Sequence, residues 1–382
     1  MKLFLLLVSM TLFKIVFANV DDDDEDMFYI NKDGDLILGG LFSLHFRGHN
    51  ENTCGKFESM PGYHLLQSMI YAIDKINNDT SILPNITLGA KIYDSCYSQV
   101  IGAKMTKKLI TMTLVETPDS GQLVGVIGAH SSDLTKVVAD FLRVFEIPQI
   151  SYGATASALS DKTIYSYFFR TVSPDSRQGI AIAEIIQKLG WNYVITINSG
   201  GLYGDKGIEN FVAAAKRRHI CVAEKLKLSS FPTDKEYDEL ARKLDAVSRA
   251  RAIVMYTAIR DTRLILKALH RNNITKRFYW IGSDGWGNNL NAVENFERLA
   301  EGAITLTALN KPVDGFEEYF RNLNVNDAKN RNNSWLTTNS TGNLIFIATC
   351  KVRIHFQTLV NTARATKVWS PVQSSLPQSD RS

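Results

Sequence analysis

The chain has 382 residues, 45% of them hydrophobic and 21% charged, which is the balance of a globular protein with room for two domains. The net charge is only +4, and Lys and Arg are scattered without a basic stripe interleaved with exposed aromatics, which argues against a nucleic-acid partner.

Residues 1–18 read as a signal peptide: Lys2 is the positive start, an apolar run follows, and Ala18 supplies the small residue before cleavage. The acidic run at 21–26 reads as a solvated tail. No later stretch reaches the length of an uncharged membrane span, so the chain as written is expected to be extracellular, secreted, or plasma-membrane-bound in a full-length form. Five N-x-[ST] sequons, at Asn78, Asn85, Asn273, Asn332 and Asn339, agree with that compartment as glycosylation sites. The four cysteines are Cys54, Cys96, Cys221 and Cys350, and spacing alone leaves three pairings open.

Apolar periodicity then predicts a strand over 35–46, a helix over 62–77, a strand over 86–93 and a helix over 99–114. Residues 116–122 are a short polar connection. Strands over 123–128 and 147–152 flank a helix over 134–145, and 166–171 is a further strand. From Pro174 the alternation restarts: helix 175–189, strand 192–197, a glycine-bearing loop 200–207, helix 208–218, strand 219–226, helix 235–247, strand 252–256, helix 262–271, strand 278–281, strand 303–308 and helix 315–323. Such alternation argues an α/β fold of two open, mostly parallel domains, with a closed (β/α)8 barrel as the competitor. Residues 336–382 form a divergent tail expected to be disordered.

Enzyme signatures are missing. The loop at 200–207 does not spell a dinucleotide fingerprint, and there is no P-loop, no nucleophile elbow and no H-E-x-x-H. His45 and His49 have a metal-like spacing, but no helix is expected there and no third ligand is near, so no metal site and no cofactor are assigned. What remains is a set of polar residues at strand-to-helix turns. Ser131, Ser132 and Thr155 stand where helices begin, and a helix N-terminus with hydroxyl donors suits a carboxylate. Asp175, Tyr203 and Asp284 stand in later turns, and two carboxylates with an aromatic ring suit an ammonium group. Together they offer what an α-amino acid zwitterion needs. The ordinary readings are N-caps and an Asx turn.

Specific stretches carry a resemblance. D-G-D-L-I-L-G-G-L-F-S from Asp33, L-P-N-I-T-L-G from Leu83, I-P-Q-I-S-Y-G-A-T from Ile147, L-S-D-K-T-I-Y from Leu159, Y-G-D-K-G from Tyr203 and I-G-S-D-G-W from Ile281 recur in order and spacing. The chain resembles the extracellular Venus-flytrap domain of class C G-protein-coupled receptors, most closely the metabotropic glutamate receptors. The resemblance implies a two-lobed, periplasmic-binding-protein-like (type I) clamshell and a receptor that is not an enzyme. It places lobe 1 at 28–170, lobe 2 at 171–310 and an incomplete return to lobe 1 at 311–335. It assigns the ligand α-carboxylate to Ser132 with Thr155 beside it. The ammonium falls to Thr155, Asp175, Tyr203 and Asp284, and Ser131 is left as a cap. It also implies a Cys54–Cys96 disulfide and a match of Cys221 to a cysteine that pairs with a downstream domain. A homodimer through lobe 1 is implied as well, for which Val138, Leu142 and Phe145 are candidates, with G-protein coupling only through a transmembrane region. Three places, five residues in all, depart from the glutamate pattern. Pro61 and Leu65 stand where a Tyr and an Arg are expected, Asn289 replaces a basic residue, and Ala258-Ile259 replaces an acidic-glycine pair. The ligand is therefore expected to be an amino acid other than glutamate. A secreted amino-acid-binding protein and a ligand-less interaction module are the rival readings.

Overall fold

The run Leu36–Phe42 lacks a polar face, and it forms an interior strand, β2, of a six-stranded sheet. The structure is a computed structural model and describes residues 29–57, 62–114, 121–247, 249–309 and 311–323. The signal segment, the acidic run, Pro61, Asn332, Asn339, Cys350 and the tail at 336–382 lie outside the described residues.

The first sheet has the order β1 (Tyr29–Lys32), β5 (Leu88–Asp94), β2, β6 (Gln122–Ile127), β7 (Gln149–Ser151), β8 (Phe168–Arg170). Only β1 is antiparallel to its neighbour. The second sheet is parallel throughout, in the order β10 (Cys221–Lys227), β9 (Tyr193–Asn198), β11 (Ala252–Tyr256), β12 (Tyr279–Gly282), β13 (Ile304–Thr305). Two open sheets replace the barrel alternative.

Each sheet is covered on both faces, which is why its strands read as continuous apolar runs. On the first, α1 (Gly62–Asn78) packs Leu66, Ile70 and Ile73 against one face. On the other, α2 (Gln99–Leu114) and α3 (Ser132–Leu142) bury Met105, Leu109, Leu134 and Val138. The second sheet is covered by α4 (Asp175–Lys188) and α5 (Leu202–Lys216) on one face, and by α6 (Asp234–Ala246) and α7 (Ile259–Arg271) on the other. The short helix α8 (Phe316–Asn322) returns to α1, where Phe316 and Phe320 join the core of the first lobe.

Several boundaries differ from the sequence reading, each for a tertiary reason. The strand expected over 35–46 breaks after Phe42. The Asp94 carboxylate accepts the Leu44 N–H at 2.9 Å, so the ladder ends, and β3 (His45–Arg47) pairs instead with β4 (Cys54–Phe57) in a separate hairpin. The helix expected from 208 begins six residues earlier, so Tyr203 lies in the first turn of α5 rather than in a loop. Its ring is half-buried beside Tyr256, with centroids 6.2 Å apart, and does not stand free of the core. Of the dimer candidates, Val138 and Leu142 are core residues at 0% and 1% exposure, and only Phe145 is exposed. Phe141 and Val144 share the surface with it.

Cys54 and Cys96 form a disulfide with Cα atoms 5.3 Å apart, which ties the β3–β4 hairpin to the end of β5. Cys221 is exposed, with no disulfide partner among the described residues. His45 does find acidic company in space: its Nδ1 lies 2.5 Å from Asp94 Oδ2. Cys96 is the third group of that cluster, but its sulfur is committed to the disulfide, so a metal-binding thiolate is missing. Asn78, Asn85 and Asn273 are all exposed. No helix among the described residues is long and apolar enough to cross a membrane.

Candidate functional site

In open α/β sheets, ligands are held outside the carboxyl ends of the strands. All five sequence-predicted site residues fall there. Ser132 follows β6, Thr155 follows β7, Asp175 follows β8, Tyr203 follows β9 and Asp284 follows β12. The first two belong to the first sheet's edge, and the last two to the second's. Asp175 opens the first helix after the crossover.

Hydrogen bonds link these turns into one network. Ser132 is buried, and its Oγ accepts the Ala156 N–H at 3.1 Å, which joins the β6 turn to the turn after β7. Ser131 occupies the N-cap position of α3 with extended backbone, yet its side chain makes no cap hydrogen bond. Thr155 offers its carbonyl to the Asp175 N–H at 2.8 Å. Asp175 is the first residue of α4, and Pro174 holds the cap position, so capping is not the role of the aspartate. Gln178 bridges the two acids: its Nε2 donates to Asp175 Oδ1 at 3.3 Å, and its Oε1 accepts the Asp284 N–H at 3.1 Å. The Tyr203 hydroxyl donates to Asp284 Oδ1 at 2.7 Å and accepts the Gly285 N–H at 2.9 Å, with Ser283 Oγ also 2.7 Å away.

The network carries two carboxylates, and among the described residues no lysine or arginine forms a salt bridge with either, although Arg170 is close enough to act on Asp175. Burial is the main reason that the Asp175 carboxyl is pushed up to about 7, and the like charge of Asp284 adds to it. The neighbouring Thr155 hydroxyl and Arg170 partly oppose the rise. Arg170 is otherwise engaged, donating to the carbonyls of Ala154 and Ala156 at 3.2 and 3.0 Å. Burial, then Asp284 and Asp175, raise the Tyr203 hydroxyl well above its ordinary value, so it stays a neutral donor. Thr155 Oγ1 and Asp175 Oδ2 are buried without a hydrogen-bond partner of normal geometry. Such groups cost about 1–3 kcal/mol each when left unsatisfied.

The cleft wall next to Ser132 is aromatic. His130 is half-buried between Tyr97 and Tyr152, with ring centroids 5.7 and 5.8 Å away. Gly153 makes room for it, since a Cβ there would lie 2.9 Å from His130 Cδ2. Burial pushes the imidazole below its ordinary range, although Asp284 pulls the other way, so the ring is neutral near pH 7. The sequence reading missed His130, Gln178 and Ser283. Gln178 is an ordinary helix residue by sequence, and only the approach of the Asp284 turn gives it a role.

The positions of the glutamate-pattern departures are occupied. Leu65 packs partly buried against the first lobe's core, and Asn289 Oδ1 accepts the Asn291 N–H at 2.9 Å.

A family model described as "Receptor family ligand binding region" matches residues 64–347. Metabotropic glutamate receptor 4 of Macaca fascicularis is 39% identical over 321 residues, covering 80% of this chain and 35% of the relative. Metabotropic glutamate receptor 8 of Homo sapiens is 39% identical over 322 residues with the same coverage. Metabotropic glutamate receptor 6 of Rattus norvegicus is 36% identical over 322 residues, covering 79% of this chain and 37% of the relative. The chain thus spans about a third of the length of the curated relatives that it matches. Two mostly parallel sheets with a polar network at their carboxyl ends suit that likeness, and the chain belongs to the receptor family of ligand-binding regions, in the part of it similar to the metabotropic glutamate receptors.

Proposed function

We propose that this chain is the extracellular amino-acid-sensing module of a metabotropic glutamate receptor-like G-protein-coupled receptor, not an enzyme, and that a ligand draws its two lobes together. The lobes divide near Arg170, and the segment after Asn310 returns to the first. Ser132 and the first turn of α3 hold the ligand carboxylate, with Thr155 beside them. Asp175, Asp284, Tyr203 and Thr155 hold the ammonium. The observation that carries this reading is the pair Thr155 Oγ1 and Asp175 Oδ2, both buried and neighbours of one another, and neither with a hydrogen bond of normal geometry. An ammonium placed there satisfies an acceptor, offsets the repulsion between two acids and gains charge-assisted hydrogen bonds.

The ligand side chain faces an uncharged wall of His130, Tyr97 and Tyr152, which favours an apolar, aromatic or neutral polar amino acid over glutamate. Leu65→Arg alone should leave glutamate unbound, because Asn289 still stands where a basic residue is expected and the His130 imidazole is neutral. Calorimetric titration of the variant with glutamate checks this, and a clear binding isotherm would contradict it.

A homodimer through the first lobe rests in this reading on the exposed apolar residues Phe141, Val144 and Phe145 rather than on Val138 and Leu142. Val144→Glu should shift the chain toward monomer in analytical ultracentrifugation without lowering its melting temperature. An unchanged dimer would remove this face from consideration.

A further inference from the structure

We propose that Asp133 is a cross-lobe positioning residue: by capping α5 of the second lobe from the first, it holds the lobes together before any ligand arrives and sets the place of Tyr203. Asp133 lies in the first turn of α3, and its Oδ1 accepts the Leu202 N–H at 2.7 Å across the cleft. The Tyr203 N–H favours the same carboxylate, against the cost of burial. Those amides are first-turn donors of α5 with no partner inside their own helix, and a negative group there also meets the positive end of the helix dipole.

Gly201 is shaped for this contact. It sits at φ 108, and a Cβ would fall 2.7 Å from Asp133 Oδ1 and 2.9 Å from Oδ2. Leu202 itself packs on the small first-lobe cluster of Ala139, Ala154, Ala156 and Leu159. Further along the helix, Asn210 Nδ2 donates to Ser157 Oγ at 2.9 Å. The Arg47 guanidinium lies 3.6 Å over the Phe231 ring, which adds a further cross-lobe contact. One face of α5 is therefore docked on the first lobe by contacts made by protein alone. A binding-competent arrangement populated in advance raises the apparent affinity by the factor of that population.

The closure claim is independent of the amino-acid reading, while its effect on Tyr203 rests on it. Small-angle scattering of the full chain without added amino acid tests it. The wild type is expected to scatter as the docked, compact form, and Asp133→Ala and Gly201→Ala are each expected to have a larger radius of gyration. Asp133→Asn, which keeps one acceptor oxygen, is expected to lie nearer the wild type. Amino-acid affinity should fall about tenfold or more in Asp133→Ala, the size of a lost hydrogen bond to a charged group. Asp284→Ala separates the two claims, because it should lose ligand affinity and keep wild-type scattering. Identical scattering of wild type and Asp133→Ala overturns the proposal. If the variants do not fold, amide exchange of the ligand-free wild type decides: protection of Leu202 and Tyr203 supports the contact, and exchange at unprotected rates overturns it.

Discussion

Asp284→Ala should weaken amino-acid binding by ~1.5–3 kcal/mol, the range for hydrogen bonds to charged groups, or roughly 10- to 150-fold in Kd. Asp284 holds the Tyr203 hydroxyl and faces Asp175, so its loss removes one ammonium acceptor and loosens a second contact. One effect runs the other way. Without the neighbouring charge, Asp175 ionises more readily and recovers part of the attraction. The hydroxyl of Tyr203 still has the Gly285 N–H and Ser283, so the turn keeps its shape and the melting temperature should move little. Ser132→Ala should produce a loss in the same range from the carboxylate side. Isothermal calorimetry on both variants checks the pair, and unchanged affinity in both would remove these residues from the site.

The second large effect is on pH. Asp175 rises from its ordinary 3.8 to about 7 in the folded chain. Below pH 3.8 the carboxyl is protonated in both folded and unfolded chains, and it contributes nothing to the pH dependence. Between that value and 7 the unfolded chain gives up its proton while the folded one keeps it, so stability falls as pH rises; above 7 it is level. A rise of about 3 units corresponds to an upper bound of about 4 kcal/mol lost across that window, at 1.36 kcal/mol per unit. A bound ammonium reverses the situation, because it favours the charged carboxylate. Ligand-induced thermal stabilisation should therefore grow between pH 5.5 and 7.5, and binding at pH 6 should release protons to the buffer. Asp175→Asn should flatten both trends. A stabilisation that does not vary with pH in the wild type would show that Asp175 does not meet the ammonium.

Much of this arrangement is legible in the sequence because both sheets are covered on two faces. Buried parallel strands read as apolar runs, and the helices between them show one-sided patterns, so β6, α3, β7 and α4 fall within a few residues of expectation. The turns that carry Ser132, Thr155, Asp175 and Asp284 are legible for the same reason.

What fails is whatever depends on a distant neighbour. Four glycines in 200–207 look like a loop, yet Gly204 and Gly207 are helical. A Cβ at Gly204 would meet the Ser199 carbonyl at 2.1 Å, and one at Gly207 would meet the Tyr256 ring at 2.1 Å. They are small because the helix lies close, not because the chain turns. The break after Phe42 is caused by Asp94, a residue 52 positions later in the chain. Asp133 reads as a routine acidic residue in a first turn, and its cross-lobe contact appears only when α5 is placed against it. Val138 and Leu142 read equally as a dimer face or as ordinary core, and the packing of α2 and the first sheet over them makes them core.

The central claim is that one cleft reads both charged ends of an amino acid. Calorimetric titration of the full chain with the amino acids, each repeated with its N-acetyl and methyl-ester derivatives, tests it most directly. The predicted result is that at least one free amino acid other than glutamate binds, and that blocking either its amino or its carboxyl group abolishes binding. Heat from none of the amino acids, or equal binding of the blocked forms, would contradict it.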